Sequence, residues 1–323
     1  MMRKPVQHNT VSKRVNEGFL MEIMVMKKID IHSHATAFPD YVPKRKNDSH
    51  RFLCMEEQLE IYDKLDVEMG VLLPIIAPEC QWMLMSNEEA KFISDKRPDR
   101  FVWFCNVDPR QGKYNAKSDL DYIINHYKAL GAKGLGELTT PMDADDPMMD
   151  NLFNACERAE LPVLIHIAPQ HGNDYGIVDQ PGLPRTEKML KKYPDMKMIG
   201  HSAAFWCEIS DYPLELRNSY PNMKIVKEGR LQKLLRECPN LYCDISAGSG
   251  ANAFMRDPEY AAKFVEEFAD RIFYGTDVCA TNNTFQYKFD AFLNQMVNDG
   301  MISQANYEKI IRWNAVKLLG LEK

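Results

Sequence analysis

Apolar residues along the chain fall into short strand-like runs, most of which end in polar or small residues and lead into a stretch with helical spacing. Eight such runs can be counted: "KKIDIHSH" to His34, "MGVLLP" to Pro74, "FVWFCN" to Asn106, "AKGLGE" to Glu137, "PVLIHI" near His166, "KMIGH" to His201, "LYCDIS" to Ser246 and "IFYGTD" to Asp277. Successive endpoints lie 29 to 45 residues apart, as the positions just named give. Each interval has room for a loop, a crossover helix and the next strand, the unit that builds parallel sheets. Eight units predict a single-domain α/β fold, a (β/α)8 TIM barrel with long loops at its C-terminal face. An open doubly wound sheet would instead need a Gly-rich phosphate turn after the first strand, and "HSHATAFPD" is not one. Within "KKIDIHSHAT" (27–36), Ile29 and Ile31 alternate with polar positions, so the even-numbered side chains, His32 and His34 among them, are expected to share one face.

Helical spacing supports the count. "EEQLEIYDKLDVE" aligns Leu59, Tyr62 and Leu65, "YAAKFVEEFAD" aligns Ala261, Phe264, Val265 and Phe268, and "ANYEKIIRWNAVKLLGL" reads as a closing amphipathic helix. Two connections are longer than the rest, from Ala35 to about Met55 and from Ala203 to about Gly229. Both follow a strand's C-terminal end, where a barrel keeps its active site, so both are expected to form a lid or wall.

With 45% hydrophobic and 27% charged residues, the composition is that of an ordinary globular chain. A net charge of -6 without long runs of one sign gives no reason to expect nucleic acid or a membrane surface as partner. The eight cysteines contain no CxxC pair and mostly sit in apolar stretches, which reads as reduced packing thiols of a cytoplasmic protein. Residues 1–27 read as a basic tail rather than a signal peptide, because "FLMEIMVM" is short, contains Glu22 and leads into lysine. Met21, Met24 and Met26 offer alternative translation starts, and residues 28–323 are expected to form the single barrel domain.

By the strand count, His32, His34, His166, His201 and Asp277 stand at the C-terminal ends of strands one, five, six and eight. Each alone could be a hydrogen-bonded core residue or, for Asp277, a helix cap. Together they would converge on one mouth. Several imidazoles and a carboxylate suit a divalent metal, zinc first, with manganese or iron as alternatives. Such an ion lowers the pKa of its water toward neutrality, and a nearby carboxylate can take the proton.

The ordered stretches "IDIHSH", "PVLIHIA", "KMIGHSA", "LYCDISAGSGANAFMRDPE", "DRIFYGTD" and "KIIRWNAVKLLGL" resemble the amidohydrolase superfamily, specifically its amidohydrolase-2 branch. That branch includes aminocarboxymuconate semialdehyde decarboxylase and related hydrolases, hydratases and decarboxylases. The resemblance runs from about Lys28 to the C-terminus. It implies a metal held by His32, His34, His166 and Asp277, with His201 either a further ligand or the acid/base beside it. Glu137 ends strand four, where some branches place a group bridging a second metal; it could contact the ion or orient a ligand histidine. One ion is favoured over two.

The resemblance covers two reactions. In hydrolysis, metal-activated water attacks an amide, ester or lactone carbonyl while Asp277 shuttles the proton. In the alternative, the same metal and His201 decarboxylate or hydrate an unsaturated carboxylic acid. A catalytically silent metal-binding barrel is the third reading, although none of the expected mouth residues is missing. Positive charge in the first mouth loop (Lys44, Arg45, Lys46, His50, Arg51) and at Arg110 suits a small, carboxylate-bearing substrate. His171, Trp82 and Trp206 are further candidates for the pocket lining, and a homo-oligomer is compatible with the sequence.

Overall fold

The computed structural model describes residues 26–321 other than 48, 173 and 281. Apart from Met26 and Lys27, the expected tail 1–27 lies outside the described residues. Eight parallel staves follow one another along the chain: β1 (Lys28–Ser33), β2 (Val67–Leu72), β3 (Phe101–Trp103), β4 (Leu135–Leu138), β5 (Val163–Ala168), β6 (Met198–His201), β7 (Leu241–Asp244) and β8 (Ile272–Phe273). They pair in sequence order as two arcs, β1 to β3 and β4 to β8, with a two-residue strand, Ile177–Val178, added beside β5.

Backbone hydrogen bonds join the arcs at both seams. Cys105 N donates to Gly134 O at 2.9 Å and Gly136 N to Cys105 O at 2.8 Å. On the other side Ile31 N donates to Tyr274 O at 3.0 Å and Asp277 N to His32 O at 2.8 Å, beside a parallel bridge between Ser33 and Val278. The sheet is thus a closed barrel of eight, as the unit count predicts.

Inside the lumen, Ile29, Ile31, Val71, Leu73, Phe104, Leu164, Ile199 and Phe273 pack as one cluster, with Ala315, Val316 and Leu319 of the C-terminal helix against it. Burial on both faces accounts for the nearly continuous apolar runs of the strands. The surrounding helices bury the expected stripes. Asp257 caps Pro258–Phe268 by accepting from Tyr260 N at 3.2 Å, and Ala261, Phe264, Val265 and Phe268 of that helix are buried. Met55–Leu65 buries Ile61, Tyr62 and Leu65, while Leu59 is only partly covered.

Two expectations need correction. The closing helix is not uniform, because a π turn (Lys309–Trp313) separates Gln304–Glu308 from Asn314–Leu319. The wider turn offers the Ile310 carbonyl to Tyr274 N at 3.0 Å, which fastens the helix to the end of β8. Strict alternation also fails in β1. Its register with β2 slips between Asp30 and Ser33, and Asp30 Oδ1 accepts the His32 N–H at 2.9 Å. Asp30 faces the outer layer, accepting from Tyr62 Oη at 3.0 Å, whereas His32 turns inward to the mouth. The two histidines do converge, through this irregularity rather than through period two alone.

Among the described residues no helix is long and apolar enough to cross a membrane. The fit of strand to outer helix is tight at Gly70, where an added Cβ would lie 1.9 Å from Tyr62 Oη. Gly70→Ala is therefore expected to lower stability by about 1–3 kcal/mol through overpacking, measured by urea unfolding. An unchanged midpoint would show that the Tyr62 ring can move aside.

Candidate metal centre

At the C-terminal ends of the staves, His32 and His34 each lie close to both Glu137 and Asp277. His32 Nε2 and His34 Nε2 are 3.1 Å apart. Glu137 Oε2 is 3.5 Å from His32 Nε2 and 3.4 Å from His34 Nε2; Asp277 Oδ1 is likewise 3.5 and 3.4 Å from the same two atoms. Tetrahedral bonds of about 2.0–2.1 Å to a zinc-like ion imply donor-to-donor edges of roughly 3.3–3.4 Å. The histidine-to-carboxylate distances lie near that value, and His32, His34 and Asp277, all within 4.8 Å of one another, form one group of potential ligands of a kind that divalent transition ions accept. His32, Glu137 and His201 form a second, overlapping group of potential ligands.

Each donor is held from behind. His32 Nδ1 donates to Asp244 Oδ2 at 2.6 Å and His34 Nδ1 to Leu73 O at 2.8 Å, which turns both Nε2 atoms toward Glu137 and Asp277. Asn106 Nδ2 donates to the Glu137 and Pro74 carbonyls and fixes the end of β4. Asp277 is anchored by its own N–H on His32 O.

Concentrated carboxylate charge governs the electrostatics. Although burial opposes a charge on His32, Asp277, Glu137 and Asp244 raise its pKa well above the usual histidine value. Burial likewise opposes charge on His34, yet hydrogen bonds with Asp277 and Glu137 bring it to about 8. Against the same desolvation, the imidazoles hold Glu137 well below the carboxylate range and lower Asp277 and Asp244 as well. Buried anions of this density call for compensating positive charge, supplied by protons here and equally by a divalent cation.

The other sequence-predicted residues are placed as follows. His166 Nδ1 donates to Glu137 Oε1 at 2.7 Å and so braces that carboxylate. His201 Nδ1 contacts Asp244 Oδ2 at 3.0 Å, and its Nε2 is 3.8 Å from Asp277 Oδ2. Trp206 is buried and donates from Nε1 to the Asp244 carbonyl at 2.8 Å, a packing role. Arg51 pairs with Glu57 at 2.8 Å, and Arg110 with Glu79 at 2.8 Å and Asp108 at 2.7 Å; the chain itself satisfies both guanidiniums. His171 is exposed and pairs with Asp143 at 2.8 Å. The Trp82 side chain lies outside the described positions.

Sequence reading missed Asp244 and Ser246. Asp244 is fully buried and serves His32 and His201 together, and Ser246 Oγ donates to the same oxygen at 2.7 Å. A charged residue closing the apolar run "LYCDIS" at a predicted strand end was the available signal. Beside the cage lies a cavity of about 290 Å³, bordered by His166, Tyr175, His201, Tyr220, Ser249 and Asp277 among others, a size suited to a small molecule. A larger depression of about 700 Å³ at the opposite end of the barrel is lined by Asp66, Arg100 and Arg312 and holds none of the converging residues.

Residues 86–321, well over half of the chain, match a family model, Amidohydro_2, described as Amidohydrolase. No curated protein sequence matches the chain. Among solved structures, 5-carboxyvanillate decarboxylase LigW from Sphingomonas paucimobilis aligns with TM-score 0.60 and 17% identity over 92% of this chain and 99% of that one. A probable 2-pyrone-4,6-dicarboxylic acid hydrolase from Acinetobacter baumannii, with citric acid bound, aligns with TM-score 0.58 and 15% identity over 91% and 100%. A dihydroxybenzoic acid decarboxylase from Polaromonas sp. JS666, with bound manganese and the inhibitor 2-nitroresorcinol, aligns with TM-score 0.55 and 16% identity over 93% and 98%.

Asp244→Asn keeps the side chain's size but removes its charge. It is expected to weaken zinc or manganese binding by about 10- to 100-fold, measured by competition with a chromophoric chelator. Unaltered affinity would mean that Asp244 does not orient His32.

Proposed function

We propose that this chain, which belongs to the Amidohydro_2 family of amidohydrolases, is a divalent-metal-dependent enzyme of the hydrolase type acting on a small, carboxylate-bearing substrate. The observation that carries the reading is the pair His32 and His34, 3.1 Å apart at Nε2, with Glu137 and Asp277 oxygens 3.4 to 3.5 Å from both, beside a cavity of small-molecule size. Those four residues would hold the ion, with His166 bracing Glu137 and Asp244 orienting His32. When bound, the ion would polarise a substrate oxygen and acidify water at the site.

The protein's own contribution is positioning and proton transfer. His201, with Nδ1 on the Asp244 carboxylate, turns Nε2 toward Asp277 Oδ2 and the cavity. That tautomer leaves an acceptor lone pair at the reacting end, so His201 takes a proton from the nucleophile and returns it to the leaving group. Asp277 offers one oxygen to the cage and the other to His201, coupling the two. Decarboxylation is the second reading, favoured by the names of two of the aligned structures. There His201 would instead deliver a proton to the carbon that loses carbon dioxide.

Element-resolved mass spectrometry on protein purified without chelators or a metal-affinity column tests the reading. About one equivalent of a transition metal per chain is expected, and its loss from the His32→Ala, His34→Ala double variant. Absence of metal, even after incubation with zinc, manganese or iron, would overturn it. Assays of acid release against carbon dioxide release on a panel of lactones and unsaturated or aromatic carboxylic acids then separate the two reactions.

A further inference from the structure

Most of the polar side chains that border the cavity beside the metal centre are already committed. Ser202 Oγ donates to Ile167 O at 2.6 Å, Asn218 Nδ2 to Asp174 Oδ1 at 3.1 Å and His166 Nδ1 to Glu137 Oε1 at 2.7 Å. Ser249 Oγ is sealed from solvent and does not open into the cavity. Among the described residues no Lys or Arg stands on its border. Two phenols remain, Tyr175 and Tyr220. Tyr220 is 59% exposed, so water reaches it freely, whereas Tyr175 is mostly covered. Among the described residues the Tyr175 hydroxyl has no hydrogen-bond partner, and it is not sealed in as Ser249 Oγ is.

The fold fixes Tyr175 from several sides. Its ring lies against the His166 ring, with 4.7 Å between centroids. The next residue, Gly176, has φ +121°, and an added Cβ would lie 2.7 Å from His166 O and 2.8 Å from His166 Cδ2. Glycine is what lets the chain pass this close to β5. Gly176 N then donates to Thr139 O at 2.7 Å, and Ile177 and Val178 pair with Ile167 and Ala168 of β5. From the other side buried Arg217 donates to the Pro169, Asp179 and Gln180 carbonyls, so the segment that carries Tyr175 is pinned at both ends. Burial, and after it the charges of Glu137 and Asp277, push the Tyr175 phenol well above its ordinary pKa, which keeps it a protonated donor near both carboxylates.

We infer that Tyr175 is a substrate-binding residue of this mouth, its hydroxyl donating a hydrogen bond to an anionic oxygen of the bound molecule. Resting on the reading of this mouth as a substrate site, it gives to a neutral donor the role expected of Arg51 and Arg110. A mostly covered hydroxyl without a protein partner gains from an acceptor that the ligand brings. Donation from O–H to an ionised oxygen is among the shorter and stronger hydrogen bonds. A phenol also adds no positive charge beside Glu137 and Asp277. An arginine at this place would pair with those acids, as Arg51 pairs with Glu57 and Arg110 with Asp108, and would leave the ligand unserved.

The test titrates benzoate into the full-length protein as purified, with metal content measured on the same sample. One readout is the 19F resonance of 3-fluorotyrosine placed at position 175 alone. The other is the affinity of Tyr175→Phe, which keeps the ring against His166 and removes only the hydroxyl. Benzoate is expected to shift the resonance saturably, and Tyr175→Phe to bind it about ten-fold more weakly with an unchanged unfolding midpoint. No saturable shift, or wild-type affinity in Tyr175→Phe, would overturn the inference. So would a loss of affinity that comes with a lowered midpoint, because the hydroxyl would then be supporting the fold. A shift together with the affinity loss in protein that never binds metal would uphold the contact while the metal reading falls. Metal binding without the shift would do the reverse.

Discussion

The hydrogen bond from Asp277 N to His32 O closes the barrel between its first and last staves, and it does so at the level of the candidate metal centre. One backbone contact thereby sets the separation of two cage residues that lie 245 positions apart, as their numbers give. Were that seam open, His32, His34 and Asp277 would be carried on independent sheet edges. Closure also places the β1 irregularity, which turns His32 inward, directly beside the last stave.

Asp244 extends the same logic one layer outward. A single buried carboxylate oxygen accepts from His32 Nδ1, His201 Nδ1 and Ser246 Oγ. The cage ligand and the proposed proton carrier are therefore oriented by the same group, and each presents its Nε2 to the mouth. Recruiting Ser246 to this cluster has a structural counterpart: the helix that follows loses its side-chain cap.

Charge balance explains why the mouth is built this way. Glu137, Asp244 and Asp277 are drawn together, and among the described residues no Lys or Arg borders the cavity, so the neighbouring imidazoles meet their charge. Three arginines of the neighbouring loops serve the scaffold. Arg51 braces the first turn of helix Met55–Leu65 through Glu57, and Arg110 ties Asp108 to Glu79. Arg217, buried in the second long connection, donates to the carbonyls of Pro169, Asp179 and Gln180 and stiffens the loop that carries Tyr175 to the cavity.

By itself the sequence determined the number of staves, their order and the level at which the histidines and Asp277 emerge. Strand ends and helical stripes are local patterns, and an eight-unit count with short crossovers leaves few topologies open. Tertiary structure alone decided which atoms meet. It brought Glu137 beside His32, His34 and His166, gave Asp244 two imidazoles to hold, and paired Arg51 and Arg110 with acids of their own surroundings. These outcomes depend on contacts between residues as far as 212 positions apart, on a one-residue slip in β1, and on competition among many acids for few cations. Periodicity in a one-dimensional chain carries no record of which partner wins such a competition, because the distances that decide it exist only once the barrel has closed.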